Sequence, residues 1–378
     1  MQITDRRQWL KSAGLLSGGL PFLLTGQSWP STDTYPWEST DSPGYQNGNL
    51  IRLSSNENPY GPSEVVKKAM VDAFGKVCRY PGRDIEVLTE KIASREGVSA
   101  DHILITIGST EGLKLAVLAY LRNGGELVAA QPTFEAMLNY AEACGAYVHR
   151  VPVDKNMITD LQAMSRRCNA DTKMVFVCNP NNPTGTILPE DEMSHFCTEM
   201  AKRTMVFCDE VYIDYINRKN YPSMISLVKN DMNVIVSRTF SKVYGLAGLR
   251  IGYLIARPEI ISRLKKFQID RPNILALTAA EAAMKDDEFY AFSLNKNSAS
   301  KKMICETLDH LGLKYTDSHA NFVFFKSGMH INTLSKKMDE KSVQVGRAFP
   351  PFTDWCRLST GRTEDMPMVQ EALKSIFV

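Results

Sequence analysis

The sequence predicts an α/β protein: a large domain on a mostly parallel sheet with helices on both faces, and a smaller α+β domain. Three observations carry this. Short apolar runs of strand length alternate with segments of helical apolar spacing over most of the chain. Those runs are apolar throughout and do not alternate with polar residues, as expected of strands buried on both faces. The chain has 378 residues, more than one ordinary small domain holds, so a second unit is expected.

Taken in order, residues 1–30 read as a signal segment. TDRRQWLKSAGLLSGGLPFLL sets Arg6, Arg7 and Lys11 before an apolar run from about Ala13 to Leu24. A membrane span needs ~20 apolar residues, more than this run supplies. A charged start and an apolar middle is signal-peptide layout. Paired arginines followed by x-aromatic-Leu-Lys resemble a twin-arginine export signal, which implies a periplasmic or exported protein. The alternative is an amphipathic arm on a cytoplasmic one. Residues 31–49, rich in Ser, Thr, Pro, Gly and Asn, read as a linker.

The folded body is expected to begin near Leu50. VVKKAMVDAF and IEVLTEKIASREG have helical spacing. ILITIG is a short apolar run closed by glycine, and STEGLKLAVLAYL after it reads as a helix. ELVAA, AYVHRV, MVFVC, MVFCDE, NVIVS and IGYLIA are further buried-strand candidates. After about Ala279 the pattern changes to long helices with few strands, among them NFVFFK and WCRLST. Residues 66–278 are therefore assigned to the large domain, and 50–65 with 279–378 to the small one.

Composition narrows the function. Hydrophobic residues make up 44% and charged residues 23%, which is ordinary for a globular protein. A net charge of +2 and the lack of a basic stripe with interleaved aromatics give nucleic-acid binding no support. The eight cysteines are scattered without a CxxC and read as buried small apolar residues. The six histidines form no HExxH, so a metal site is not expected.

In open α/β sheets the ligand sits beyond the carboxyl ends of the strands. Four segments there have informative chemistry. Gly108-Ser109-Thr110 opens a helix with free N–H groups and hydroxyls, which suits a phosphate, although a plain N-cap looks the same. Asn179-Pro-Asn-Asn182-Pro-Thr-Gly185 is a turn-rich stretch after a strand. Asp209 and Glu210 end another strand, with Tyr212 close behind. Thr239-Phe-Ser241-Lys242 ends a third, and Arg250 follows. There is no GxxxxGK[ST] and no GxGxxG after a strand, so P-loop and dinucleotide fingerprints are absent.

Each segment is weak alone; their ordered combination is specific. From SSNENPYGPS onward the chain resembles the fold-type-I pyridoxal-phosphate-dependent aminotransferases of class I/II, in particular the branch similar to histidinol-phosphate aminotransferases. The resemblance implies the corresponding fold, with Lys242 forming the Schiff base to pyridoxal 5'-phosphate and moving the substrate proton. It implies Asp209 at the pyridine nitrogen, and Asn182 and Tyr212 at the ring's phenolic oxygen. Arg250, Thr239, Ser241, Ser109 and Thr110 would hold the phosphate, and Phe134 would stack on the ring. Tyr80 would reach the cofactor phosphate of a neighbouring subunit, which implies a homodimer with shared active sites. Arg357 matches the clamp for the substrate carboxylate. Arg347 lies near a position that contacts a distal phosphate in this branch, but Gly346 separates it from the Val-x-Val run where the branch has the arginine adjacent.

The resemblance implies a transaminase that passes an amino group from an L-amino acid or related amine to a 2-oxo acid. Histidinol phosphate and an aromatic or aliphatic amino acid are both open as donors. Two alternatives stand beside it: a decarboxylase or lyase on the same scaffold, and a non-catalytic module that keeps the cofactor pocket. The second predicts eroded catalytic residues, whereas Lys242, Asp209, Asn182, Tyr212 and Arg250 are all present.

Overall fold

A computed structural model describes residues 50–217 and 221–378. The segment expected to be an export signal, with Arg6 and Arg7, and the expected linker after it lie outside the described residues. Eleven strands follow in chain order: β1 (Ile51–Arg52), β2 (Ile103–Thr106), β3 (Glu126–Gln131), β4 (Tyr147–Pro152), β5 (Thr172–Cys178), β6 (Met205–Asp209), β7 (Val234–Thr239), β8 (Gly252–Ile255), β9 (Phe322–Lys326), β10 (Val343–Gln344) and β11 (Trp355–Ser359).

Seven of them form one sheet in the order β2-β8-β7-β6-β5-β3-β4. The apolar runs are continuous because both faces are covered. On β5, Val175 and Val177 enter one core while Met174, Phe176 and Cys178 enter the other. β6 does the same with Val206 and Cys208 on one side and Met205 and Phe207 on the other. Helices Gly82–Glu96, Glu190–Ala201 and Ile274–Ala283 supply the first core. Helices Ser109–Tyr120, Glu135–Ala143 and Pro258–Lys265 supply the second.

The pairings from β4 through β7 are parallel, as the apolar runs suggest, but β8 is antiparallel to both its neighbours. A parallel return needs a crossover, usually through a helix. The link from β7 to β8 holds only the short turn Ala247–Leu249, so the chain doubles back. That reversal keeps both ends of the link at one edge of the sheet, and Lys242 and Arg250 lie on it.

A third core gathers Ile51 and Leu53 with Ile304, Leu308, Val323, Phe325, Leu334, Val343, Cys356, Leu358 and Leu373. Here β9 and β11 pair antiparallel, and β1 pairs with β10 across almost the whole described chain. The boundary expected near residue 278 falls inside helix Ile274–Ala283, which packs into the first core up to Ala283. One expectation about cysteines is corrected. All eight are free thiols, but only Cys178, Cys197, Cys208 and Cys356 are buried; Cys78, in the turns after helix Glu64–Asp72, is exposed.

Candidate active site

The carboxyl ends of β5, β6 and β7 and the link to β8 converge on one place. Asp209 is the last residue of β6, set beside Cys178 of β5 and Ser237 of β7 in the sheet register. It is buried, and its Oδ1 has no hydrogen-bond partner. Burial pushes its carboxyl up to about 7, against the pull of the nearby Ser237 hydroxyl and the Lys242 ammonium. A buried acceptor left unpaired is costly, and in an apolar strand layer it points to a donor that arrives with a ligand.

The Lys242 Nζ donates to the Asn56 carbonyl at 2.8 Å and lies 5.3 Å from the centre of the Tyr212 ring. Burial, reinforced by Arg357 and Arg250, brings its ammonium down to about 8. Tyr212 is buried, and its hydroxyl accepts from Asn56 Nδ2 at 2.7 Å. Burial holds that phenol well above its usual range. Asn56 also accepts from the Ser359 hydroxyl at 2.9 Å. One residue thus ties these elements together: its side chain joins the Tyr212 turn to the end of β11, and its backbone carbonyl holds Lys242. Asn56 lies in SSNENPYGPS between Ser55 and Glu57, and in the sequence it reads as one more turn residue of a polar stretch.

Arg357 sits mid-strand on β11 and is 8% exposed, so it is no surface arginine. Its Nη1 donates to Asn182 Oδ1 at 2.9 Å and its Nη2 to the Ser54 carbonyl at 2.6 Å, while Nε has no partner. No carboxylate pairs with it among the described residues. Desolvation lowers the guanidinium to about 10. The neighbouring asparagines do structural work: Asn181 bonds Thr133, Thr184 and the Pro132 carbonyl, and Asn179 receives the Leu188 N–H. Asn182 alone of the three faces Arg357. The Thr133–Asn181 bond also fastens the loop that carries Phe134, a half-buried ring just before helix Glu135–Ala143.

A second cluster lies at the ends of β2, β7 and β8, where Thr106, Gly252 and Thr239 stand in one row of the sheet. Ser109 and Thr110 open helix Ser109–Tyr120, whose N-cap Gly108 provides no side-chain cap. Gly108 has a φ of +72°, and a Cβ on it would strike the Arg250 guanidinium. Arg250 itself adopts a left-handed φ of 57° and donates to the Ala247 carbonyl at 2.8 Å. A Cβ on Gly252 would meet the Ser109 amide nitrogen at 2.9 Å. Thr239 Oγ1 donates to Ser241 Oγ at 2.9 Å. Free helix N–H groups, a guanidinium and hydroxyls make a cradle for an anion such as phosphate.

Two expected residues stand apart. Tyr80 is 96% exposed and touches none of these groups within its own chain. Arg347 is exposed at the rim, bonded to the Ala348 carbonyl at 2.8 Å and lying over the Phe349 ring.

A buried lysine of lowered pKa, a buried carboxylate at a sheet end and an anion cradle beside them define a pyridoxal-phosphate enzyme on an α/β scaffold. The family model for aminotransferase class I and II matches residues 48–376, and the chain belongs to that family. It is 38% identical over 332 residues to the histidinol-phosphate aminotransferase of Moorella thermoacetica, covering 87% of this chain and 86% of that one. It is 35% identical over 327 residues to the enzyme of the same name from Limosilactobacillus fermentum, covering 85% and 89%. Among solved structures, the histidinol-phosphate aminotransferase of Sinorhizobium meliloti in complex with pyridoxal-5'-phosphate superposes with a TM-score of 0.80 at 26% identity, covering 88% and 94%. The protein is a pyridoxal-phosphate-dependent transaminase, and its residues fit that cofactor: the orphaned Asp209 oxygen suits a ring N–H, and the Gly108–Arg250 cradle suits the phosphate.

Proposed function

We propose that Lys242, Asp209, Tyr212, Asn182 and Arg357 are the working residues of this transaminase, and that its donor and acceptor are bound by their carboxylates. The observation that carries the reading is the Arg357 guanidinium, buried with no carboxylate beside it. A buried cation without an anion is costly. Both an L-amino acid and a 2-oxo acid bring the missing carboxylate, so one clamp serves both halves of the exchange.

Bound pyridoxal phosphate supplies an electron sink for the pair left when the donor Cα loses its proton. Asp209 would hold the proton on the ring nitrogen, its unpaired Oδ1 being free to accept there. Lys242, with its ammonium lowered to about 8, carries a usable fraction of free amine near neutral pH and takes the Cα proton. An arginine in its place stays protonated and has no such fraction. Tyr212 and Asn182 would bond the ring's phenolic oxygen, the cradle of Thr239, Ser241, Ser109, Thr110 and Arg250 would hold the phosphate, and Phe134 would cover the ring face.

The reading includes a homodimer. Tyr80 and the apolar side chains of Val71, Phe74 and Val77 are exposed on one short stretch, and such a patch is characteristic of an interface. A partner copy covering it would receive Tyr80 at its own cofactor phosphate.

The test is spectral. Purified holoenzyme should lose its visible cofactor band when a good donor is added, with one 2-oxo acid formed per donor consumed. Lys242→Ala should lower turnover by about 10³-fold or more while still binding the cofactor. Carbon dioxide release without an oxo acid would sink the transaminase assignment in favour of a decarboxylase, and full turnover by Lys242→Ala would sink the role of the lysine.

A further inference from the structure

A tyrosine hydroxyl has one proton and can point it in one direction only. Tyr212 is buried, and its oxygen accepts from Asn56 Nδ2 at 2.7 Å. Asn56 is itself buried, and its Oδ1 accepts from the Ser359 hydroxyl at 2.9 Å. Ser359, the last residue of β11, is buried as well. The donors thus run one way, from Ser359 through the Asn56 amide to the Tyr212 oxygen. Because that oxygen is already accepting, its own proton is left to point elsewhere.

The reverse orientation of the amide has a different outcome. Asn56 Oδ1 would then take the Tyr212 proton, and only lone pairs would remain on the tyrosine oxygen for a ligand. A phenolate brought to that side would meet another acceptor. Asn182 follows the same logic: its Oδ1 is occupied by Arg357 Nη1 at 2.9 Å, which leaves its Nδ2 to donate. The charged groups around Tyr212 are Lys242 from the link after β7, 5.3 Å from the ring centre, Arg357 from β11 and Asp209 from β6. Among the described residues, Asn56 supplies the hydrogen bond to the hydroxyl. The bond from Lys242 Nζ ends on the Asn56 backbone carbonyl, so a change of the Asn56 side chain leaves its acceptor in place.

We propose that Asn56 is a positioning residue for Tyr212: held by Ser359, its amide donates to the tyrosine oxygen and so aims the hydroxyl proton at the cofactor's phenolic oxygen, a role that rests on the reading of Tyr212 as a donor to that oxygen. Asn56 acts through Tyr212 and takes no part in the chemistry.

The pH midpoint of the visible cofactor band reads this hydrogen bond without turnover. A donor to the phenolic oxygen disperses its negative charge. That loosens the proton held between this oxygen and the Lys242 nitrogen and lowers the midpoint. Asn56→Asp keeps the shape but, ionised, can only accept, so it draws the Tyr212 proton away. It should raise the midpoint by about one pH unit. Tyr212→Phe alone should raise it at least as far, and adding Asn56→Asp to Tyr212→Phe should raise it no further. Ser359→Ala frees the amide to turn and should give a smaller rise. Thermal midpoints and the affinity for pyridoxal phosphate report whether each variant is folded and loaded. An unchanged midpoint in folded, loaded Asn56→Asp enzyme would overturn the proposal. So would an equal rise with and without Tyr212, because the new charge would then be acting on the cofactor directly. If Asn56→Asp does not fold, Ser359→Ala decides, and an unchanged midpoint there overturns the relay. No shift in Tyr212→Phe would sink the reading of Tyr212 itself, which is a different result from a failure of Asn56→Asp alone.

Discussion

Asp209 shows how one buried atom shapes both function and stability. Its carboxyl is raised by burial from 3.8 to about 7 in the protein without a ligand partner. A raised acid favours the folded state while protonated, so its contribution is intact below pH ~4 and lost as the pH climbs through about 7. The cofactor-free protein should therefore melt at a lower temperature at pH 8 than at pH 5. Asp209→Asn should flatten that difference, gaining stability at pH 8 while losing nearly all turnover. Calorimetry at the two pH values checks it, and an unchanged pH slope in the variant would refute the burial argument. A lysine, an aspartate, a tyrosine and an asparagine in fixed order could be singled out in the sequence, and the fold sets Lys242 over the Tyr212 ring, Asp209 at the end of β6 and Asn182 against Arg357. Asn56 was not, because its importance lies in three bonds to residues that are distant in sequence and adjacent only after folding.

At the scale of elements, the strands and their mostly parallel pairing were legible, and the reversal of β8 was not. NVIVS and IGYLIA both read as buried strands, and nothing in their composition distinguishes parallel from antiparallel pairing. The length and content of the link decided it, since a link without a helix cannot cross back. That link is braced from beneath. Arg238 of β7 donates through Nε to Glu210 Oε2 at 3.1 Å, and its Nη2 stands 2.9 Å from the same oxygen. Glu210, which follows Asp209, also receives the Met224 N–H at 2.7 Å and the Ser223 hydroxyl at 2.8 Å. Arg238→Met should leave a buried carboxylate with hydrogen bonds and no cation, at a cost of about 3–5 kcal/mol. Urea denaturation monitored by tryptophan fluorescence should show the shifted midpoint; a change below about 1 kcal/mol would mean that the pair is solvated. Glu210 had been one of two acids at a strand end in the sequence; the resemblance picked out Asp209, and the fold shows that Glu210 braces Arg238.

For the whole molecule, the sequence made the change in pattern along the chain visible, but long-range pairing was beyond it. β1 and β10 are two residues each, too short to stand out, and their pairing joins the start of the described chain to residues near 343. An exposed patch likewise leaves no trace in composition. If the proposed dimer forms through this patch, Phe74→Asp should convert it to a monomer in analytical ultracentrifugation and lower activity at least tenfold, by withdrawing Tyr80 from the second site. A monomeric variant with full activity would show that each copy works alone.

Asn56 has a consequence for how the chain can be trimmed. It lies only a few residues beyond Leu50, yet it orients the lysine and the tyrosine of the site. The leading residues and the active site therefore share a border. A truncation that removed Asn56 would release the Lys242 amine and the Tyr212 hydroxyl at one stroke.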